Sequence, residues 1–190
     1  MLTLETARQW YDKDPTHGFG HIVRVYRLAE NLAQAEGADL EIVRAAALLH
    51  DAHDAAARDA AGRAGHHLAS ALFARRILQA EGWPAERIAA VEHCIRAHRF
   101  RDASEQPQTP EAQCLFDADK LDAIGAIGVA RAIAYAVTHN APIYAPPSMQ
   151  FLQSGQRQPD EPHSAWHEYW FKLRHLPGRL FTASGRSEER

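Results

Sequence analysis

The strongest constraint on this chain is a pattern its apolar residues never adopt. No run alternates apolar and polar side chains, and no β-branched block is bounded by turn residues, so nothing reads as a strand. Alanine-rich stretches recur instead, with larger apolar residues three or four positions apart, and an all-α helical bundle is expected. A short first helix fits 3–12 and ends at Asp14-Pro15-Thr16-His17-Gly18-Phe19-Gly20. A second fits 20–36, with Val25, Leu28 and Leu32 on one stripe and Gly37 as its stop. Asp39 is a good N-cap for a third, running through Ile42, Ala45, Ala46 and Leu49 to about Asp51. Later helical patterns cover 66–81, 84–98, 119–138 and 162–175, and Gly82-Trp83-Pro84 separates the first two of these.

A length of 190 residues with 46% hydrophobic side chains favours one domain over 1–190, its core at about 5–138. Two segments break the helical pattern. Residues 101–111 are polar and read as an exposed loop. Residues 140–162 carry Pro142, Pro146, Pro147, Pro159 and Pro162 around Tyr144, Met149 and Phe151, and read as a long loop, either one that closes on or faces a substrate or a disordered segment. A net charge of −3 argues against a nucleic-acid partner. Two cysteines, Cys94 and Cys114, cannot make a disulfide framework and suit a reducing compartment. The first residues lack the basic and apolar blocks of a signal peptide, and no apolar run is long enough for a bilayer. A soluble cytoplasmic protein without a membrane partner is the expectation.

Twelve dispersed histidines are the compositional oddity. In Leu48-Leu49-His50-Asp51-Ala52-His53-Asp54 an apolar helix runs straight into four polar residues. His50 and Asp54 stand one turn apart on one face, with Asp51 beside them. An adjacent His-Asp pair is costly to bury without a partner, and a divalent cation would supply one. Taken alone, the pair is better explained as a solvated helix end, its imidazoles favoured by the helix dipole. His21 begins the inward stripe of the second helix, behind the glycines of His17-Gly18-Phe19-Gly20. Asp117, Asp119 and Asp122 form a carboxylate cluster where another helix is expected to begin, more acid than capping requires.

The order His21 … His50-Asp51 … Asp119 resembles the H…HD…D signature of the HD superfamily of metal-dependent phosphohydrolases. The stretches 17–25, 47–54 and 117–131, with Ser164-Ala165-Trp166-His167-Glu168-Tyr169 near the end, are similar to a bacterial subgroup of small stand-alone HD hydrolases, some of them nucleotide pyrophosphohydrolases. The resemblance implies a helical HD domain with His21, His50, Asp51 and Asp119 holding one divalent metal ion. This donor set suits Mn²⁺, Fe²⁺, Co²⁺, Ni²⁺ or Zn²⁺, and Mg²⁺ is also admitted. Asp117 and Asp122 become groups that orient ligands, and Asp54 becomes the general acid or base. The implied reaction is hydrolysis of a phosphorylated small molecule, such as a (deoxy)nucleoside triphosphate split to monophosphate and pyrophosphate.

Around these residues, His98 continues the inward stripe of Ile88, Val91 and Ile95, whereas His93 falls about 140° away and reads as a surface residue. His66, with Ser70, resembles an element by which some HD relatives recruit a second metal. Phosphate binding is the preferred role for His66 and His98. Arg24 and Lys120, next to ligands, are further candidates for the substrate, and His163, His167, Lys172 and Arg174 for the side of the long loop. Two alternatives stand beside the hydrolase: an HD-fold di-iron oxygenase and a non-catalytic nucleotide sensor. Relatives continue with a helix after a Thr-x-x-Gly element, which here begins at Thr182 and stops, so a frayed last turn and an open surface are expected.

Overall fold

The computed structural model describes residues 2–12, 14, 16, 18–52, 65–99 and 105–189. Among them there are ten α-helices and no strand, an all-α fold. Helix α1, Leu4–Ala7, is closed by a Thr3–Thr6 capping box and continues as a 3₁₀ turn, Arg8–Trp10, so the expected first helix tightens midway. Helix α2, Phe19–Glu36, stops at Gly37, whose φ of 70° needs a residue without a Cβ. Helix α3, Leu40–Leu49, starts where the Asp39 carboxylate accepts the Glu41 and Ile42 amides. Helices α4, His66–Ala80, and α5, Ala85–Ala97, form an antiparallel pair across the Gly82-Trp83-Pro84 turn.

The core lies where α2, α3, α5 and α6 (Pro110–Leu121) pack on one another. Val25, Leu32, Val43, Leu49, Leu78, Ile95 and Leu115 are buried there. Each such side chain contributes about 1.5–3 kcal/mol by leaving water.

The continuous helix expected over 119–138 is instead two. Thr109 caps α6 through the Ala112 amide, and Pro110 takes the position where a missing N–H costs nothing. The chain breaks after Leu121 and resumes as α7, Gly125–Thr138, with Gly125 at φ 62°. Gly128 makes the junction possible, because a Cβ there would meet the Ala123 carbonyl at 2.2 Å. The carboxylate cluster therefore closes a helix rather than opening one.

Segment 140–162 is also more ordered than a loop. It holds α8, Met149–Ser154, capped by Ser148 and ended by Gly155 at φ 71°. The expected helix over 162–175 is α9, Ala165–Phe171, followed by a 3₁₀ turn, Leu173–His175. Near the C-terminus, where a frayed turn and an open surface are expected, the described residues form a docked helix. Helix α10, Ala183–Glu188, docks on α2 and α6, with the Ser184 amide and hydroxyl donating to Glu36 at 2.8 and 2.7 Å. No single helix among the described residues is long and apolar enough to cross a membrane.

Candidate metal centre

Three helices converge on one hollow. His21 sits in the first turn of α2, His50 and Asp51 follow the last turn of α3, and Asp119 lies in the last turn of α6. The approach to α2 is tight, since a Cβ on Gly18 would strike the carbonyls of Asp12 and Asp14 within 2.5 Å. Tyr11, half-buried, donates its hydroxyl to the Leu48 carbonyl at 2.8 Å and fixes the end of α3.

In the hollow, His21 Nε2 lies 3.4 Å from Asp119 Oδ1, 3.4 Å from His50 Nε2 and 3.9 Å from Asp51 Oδ2. His50 Nε2 is 3.7 Å from Asp51 Oδ2. The other ring nitrogens are engaged outward. His21 Nδ1–H donates to Asp122 Oδ2 at 2.7 Å, and His50 Nδ1–H donates to the Ala47 carbonyl at 2.9 Å. That fixes both tautomers and leaves two Nε2 lone pairs facing carboxylate oxygens. Such an arrangement repels itself until a positive charge enters it.

Burial pushes the His21 pKa down, against the pull of Asp122 and Asp119, so its ring is held in the neutral form. Burial would raise Asp119, but the Lys120 ammonium beside it holds its carboxyl well below the usual range. Asp51 is likewise lowered against burial by the imidazoles around it. Neutral imidazole and ionised carboxylate are the forms that bind a cation, and His21, His50 and Asp119 each offer an atom to a common point.

A second group adjoins the first through Asp51. Its other oxygen, Oδ1, lies 3.6 Å from His66 Nε2 at the start of α4 and 3.8 Å from His98 Nε2 after α5. His98 Nδ1–H donates to the Ile95 carbonyl at 2.5 Å, and burial brings its pKa down to about 3, leaving a neutral ring. The structure thus gathers His66 and His98 on one Asp51 oxygen as a second potential cation group, a different setting from the phosphate-binding role expected of them.

The remaining candidates divide. Lys120 is buried, donates to the His98 carbonyl at 2.8 Å and to Asp119, and lies over the Phe116 ring. Arg24 is turned to Asp122, with Nη2 3.0 Å from Oδ2. Asp122 faces His21 Nδ1, the place from which it would orient that imidazole. Asp117 does not: it faces away, accepting the Phe181 and Thr182 amides and the Thr182 hydroxyl, and so pins the C-terminal segment. His93 is no surface residue, because it lies 2.6 Å from Glu105 and accepts the Gln108 amide as the chain folds back over α5. His163 pairs with Glu168 at 3.5 Å, as does Lys172, and Arg174 lies over Trp170, so these groups bind within the C-terminal segment itself. His167 is buried between Ser164 and Glu161. Asp54 lies outside the described residues.

Sequence reasoning missed Arg131. Its Nη1 donates to Asp122 Oδ2 at 2.7 Å and to the Asp122 carbonyl, and its Nε to the Thr16 carbonyl. The stretch that carried the resemblance ends on this arginine, but a spacing of nine residues across a helix break gives no hint of contact.

The family model for the HD domain matches residues 18–124, which hold every described member of both groups. The YpgQ protein of Bacillus subtilis is 30% identical over the whole chain, which spans 87% of that protein. A crystal structure of YpgQ in complex with ADP superposes with a TM-score of 0.71 at 29% identity, covering 98% of this chain and 87% of that one. A Lactobacillus plantarum protein gives 0.73 at 29% identity, over 98% and 85% of the two chains. A protein of an uncultured Thermotogales bacterium, described as a predicted HD superfamily hydrolase, gives 0.58 at 34% identity, over 71% and 74%. With more than half its length matching the family model and a relative alike from end to end, the chain belongs to the HD domain family.

Proposed function

We propose that this chain is a metal-dependent phosphohydrolase that acts on nucleotides, with His21, His50, Asp51 and Asp119 holding the catalytic cation. The observation that carries the reading is the pair of imidazole lone pairs aimed at ionised carboxylates, with both tautomers fixed from outside. A divalent cation at that point supplies Lewis acidity toward phosphoryl oxygens. The protein's own part is to keep the His21 imidazole neutral and Asp51 and Asp119 ionised, and to hold the Lys120 charge beside Asp119. Asp54 remains our candidate for proton transfer to or from the reacting oxygen.

A nucleotide is the favoured substrate because YpgQ, alike over its length, was crystallised with ADP. Cleavage of a (deoxy)nucleoside triphosphate to monophosphate and pyrophosphate is the reaction we propose. The test is to strip the protein of metal, restore Mn²⁺, Co²⁺, Ni²⁺ or Mg²⁺ singly, and screen nucleotides and phosphate esters for released phosphate or pyrophosphate. No turnover with any of these metals would refute the reading. Nucleotide binding without product would favour the sensor instead.

A second reading has its own support. Asp51 Oδ1 with His66 and His98 offers a place for a second cation, so that Asp51 would bridge two ions. Metal content per chain separates one ion from two, and a di-iron oxygenase would further require iron and oxygen uptake.

A further inference from the structure

Helix α2 carries two arginines one turn apart, Arg24 and Arg27, whose donors are only partly used. A guanidinium offers five N–H groups in a fixed fork. Arg24 spends its Nε and Nη2 on Asp122, and no described residue accepts from its Nη1. Arg27 is exposed and has no hydrogen bond or ion pair with a described residue, because Glu30, one turn further on, is taken by Arg44.

Both arginines line an open hollow of about 350 Å³ between α2, the α6–α7 junction and the first turn of α7. Its other walls are Leu28, Leu121, Ile124, Ala126 and Ile127, all apolar, and Asp122 is the one acid that reaches it. The single charge of Asp122 is already shared between Arg24 and Arg131. Three arginines against one aspartate leave two positive charges in excess here. None of His21, His50, Asp51 and Asp119 lines the hollow, so it is separate from the cation groups.

We propose that this hollow is a second ligand site, built for an organic phosphate with a flat apolar body. The phosphate lies between Arg24 Nη1 and Arg27, and the body lies against Leu28, Leu121, Ile124 and Ile127. Charge and lining select this chemistry together. Inorganic phosphate would satisfy the arginines and leave the apolar walls in water. A neutral apolar molecule would cover the walls while taking guanidinium N–H groups away from water without an acceptor, which costs free energy. A cation is repelled by the excess positive charge. Guanidinium groups match phosphate oxygens two at a time, and the volume lies in the range of small organic ligands.

The experiment is calorimetric titration of the Mn²⁺-loaded full chain with 1-naphthylphosphonate, whose C–P bond no phosphohydrolase of this kind cleaves. Amide spectra of the same titration locate the site. We expect shifts at Arg27, Leu28, Ile124 and Ile127, and affinity at least tenfold above that for inorganic phosphate or for 1-naphthol. Arg27→Glu and Ile127→Asp change exposed side chains, so the fold is retained, and each should weaken binding tenfold or more. Arg27→Lys should fall between Arg27→Glu and the unaltered chain. His50→Ala, which empties the first cation group, should bind the phosphonate as the unaltered chain does. Absence of binding, equal binding of 1-naphthol, indifference to Arg27→Glu, or loss of binding in His50→Ala would each overturn the proposal. The last of these would place the phosphonate on the metal instead.

Discussion

Asp122 Oδ2 lies 2.7 Å from His21 Nδ1, and the same carboxylate is clamped by Arg24 and Arg131. Two arginines hold the acid, the acid fixes the imidazole, and the imidazole presents a lone pair to the hollow. Those contacts, with a hydrogen bond from His21, keep the Asp122 carboxyl below its usual pKa against the opposing effect of burial. Asp122→Ala should therefore weaken metal binding about 10–100-fold without removing a ligand. Titration calorimetry with Mn²⁺ checks it, and an unchanged affinity would remove Asp122 from the site. Arg131→Met should shift affinity in the same direction by less, because Arg24 remains.

Asp117 makes the opposite prediction from five residues' distance. Its carboxylate accepts from three donors, the Phe181 and Thr182 amides and the Thr182 hydroxyl, and its Oδ2 would lie 2.5 Å from a Cβ on Gly185. Asp117→Ala leaves buried donors without a partner, at about 1–3 kcal/mol each. We expect a clear loss of thermal stability, led by release of α10, and a metal affinity close to that of the unaltered chain. Gly185→Ala should act similarly through steric conflict. A loss of metal in Asp117→Ala with stability intact would reverse the assignment.

The three aspartates show what the sequence could and could not disclose. Their clustering announced a site, and the family order singled out Asp119, but which way each side chain points depends on where the helix ends. With the helix closing at Leu121 rather than beginning at Asp119, Asp117 turns toward the chain's end and Asp122 turns back to α2. The all-α fold was legible because helical periodicity needs only local information. The α6–α7 break was not, because it rests on Gly128 meeting the Ala123 carbonyl, a tertiary contact. His93 was misplaced for a like reason, since helical angle does not reveal that Glu105 and Gln108 fold over it. His98 was legible as an inward histidine and His66 only through the family resemblance, and only the structure aims both at one oxygen of Asp51.

The Asp51 geometry leads to a count. If Asp51 bridges two cations, protein loaded with Mn²⁺ and freed of excess should carry two ions per chain by elemental analysis. His98→Ala should then carry one, the ion of the His21, His50 and Asp119 group. His50→Ala should empty that group and lower turnover to background, with far-UV helicity retained. One ion per chain in the unaltered protein, unmoved by His98→Ala, would restrict His66 and His98 to substrate contacts.

A last prediction concerns acid and the C-terminal segment. Glu161 collects the Ser148 amide and hydroxyl at 2.6 and 2.7 Å, the Gln158 amide at 2.7 Å and His167 Nε2 at 3.1 Å, so one carboxylate ties α8 to α9. Burial works against the charge, but these donors prevail and bring its pKa from 4.5 down to about 2. A folded-state pKa below the unfolded one means that the ionised group stabilises the fold fully above the unfolded value. This contribution falls away as pH drops from about 4.5 to about 2. The Ser148 and Gln158 amide resonances, whose N–H groups donate to this carboxylate, should titrate with a midpoint near the lower value. Glu161→Gln should abolish that titration and loosen 148–167 at neutral pH, while His21 and His50, held by other helices, keep their metal affinity. A midpoint at the ordinary glutamate value would show that Glu161 is solvated, and the tie between α8 and α9 would have to be sought elsewhere.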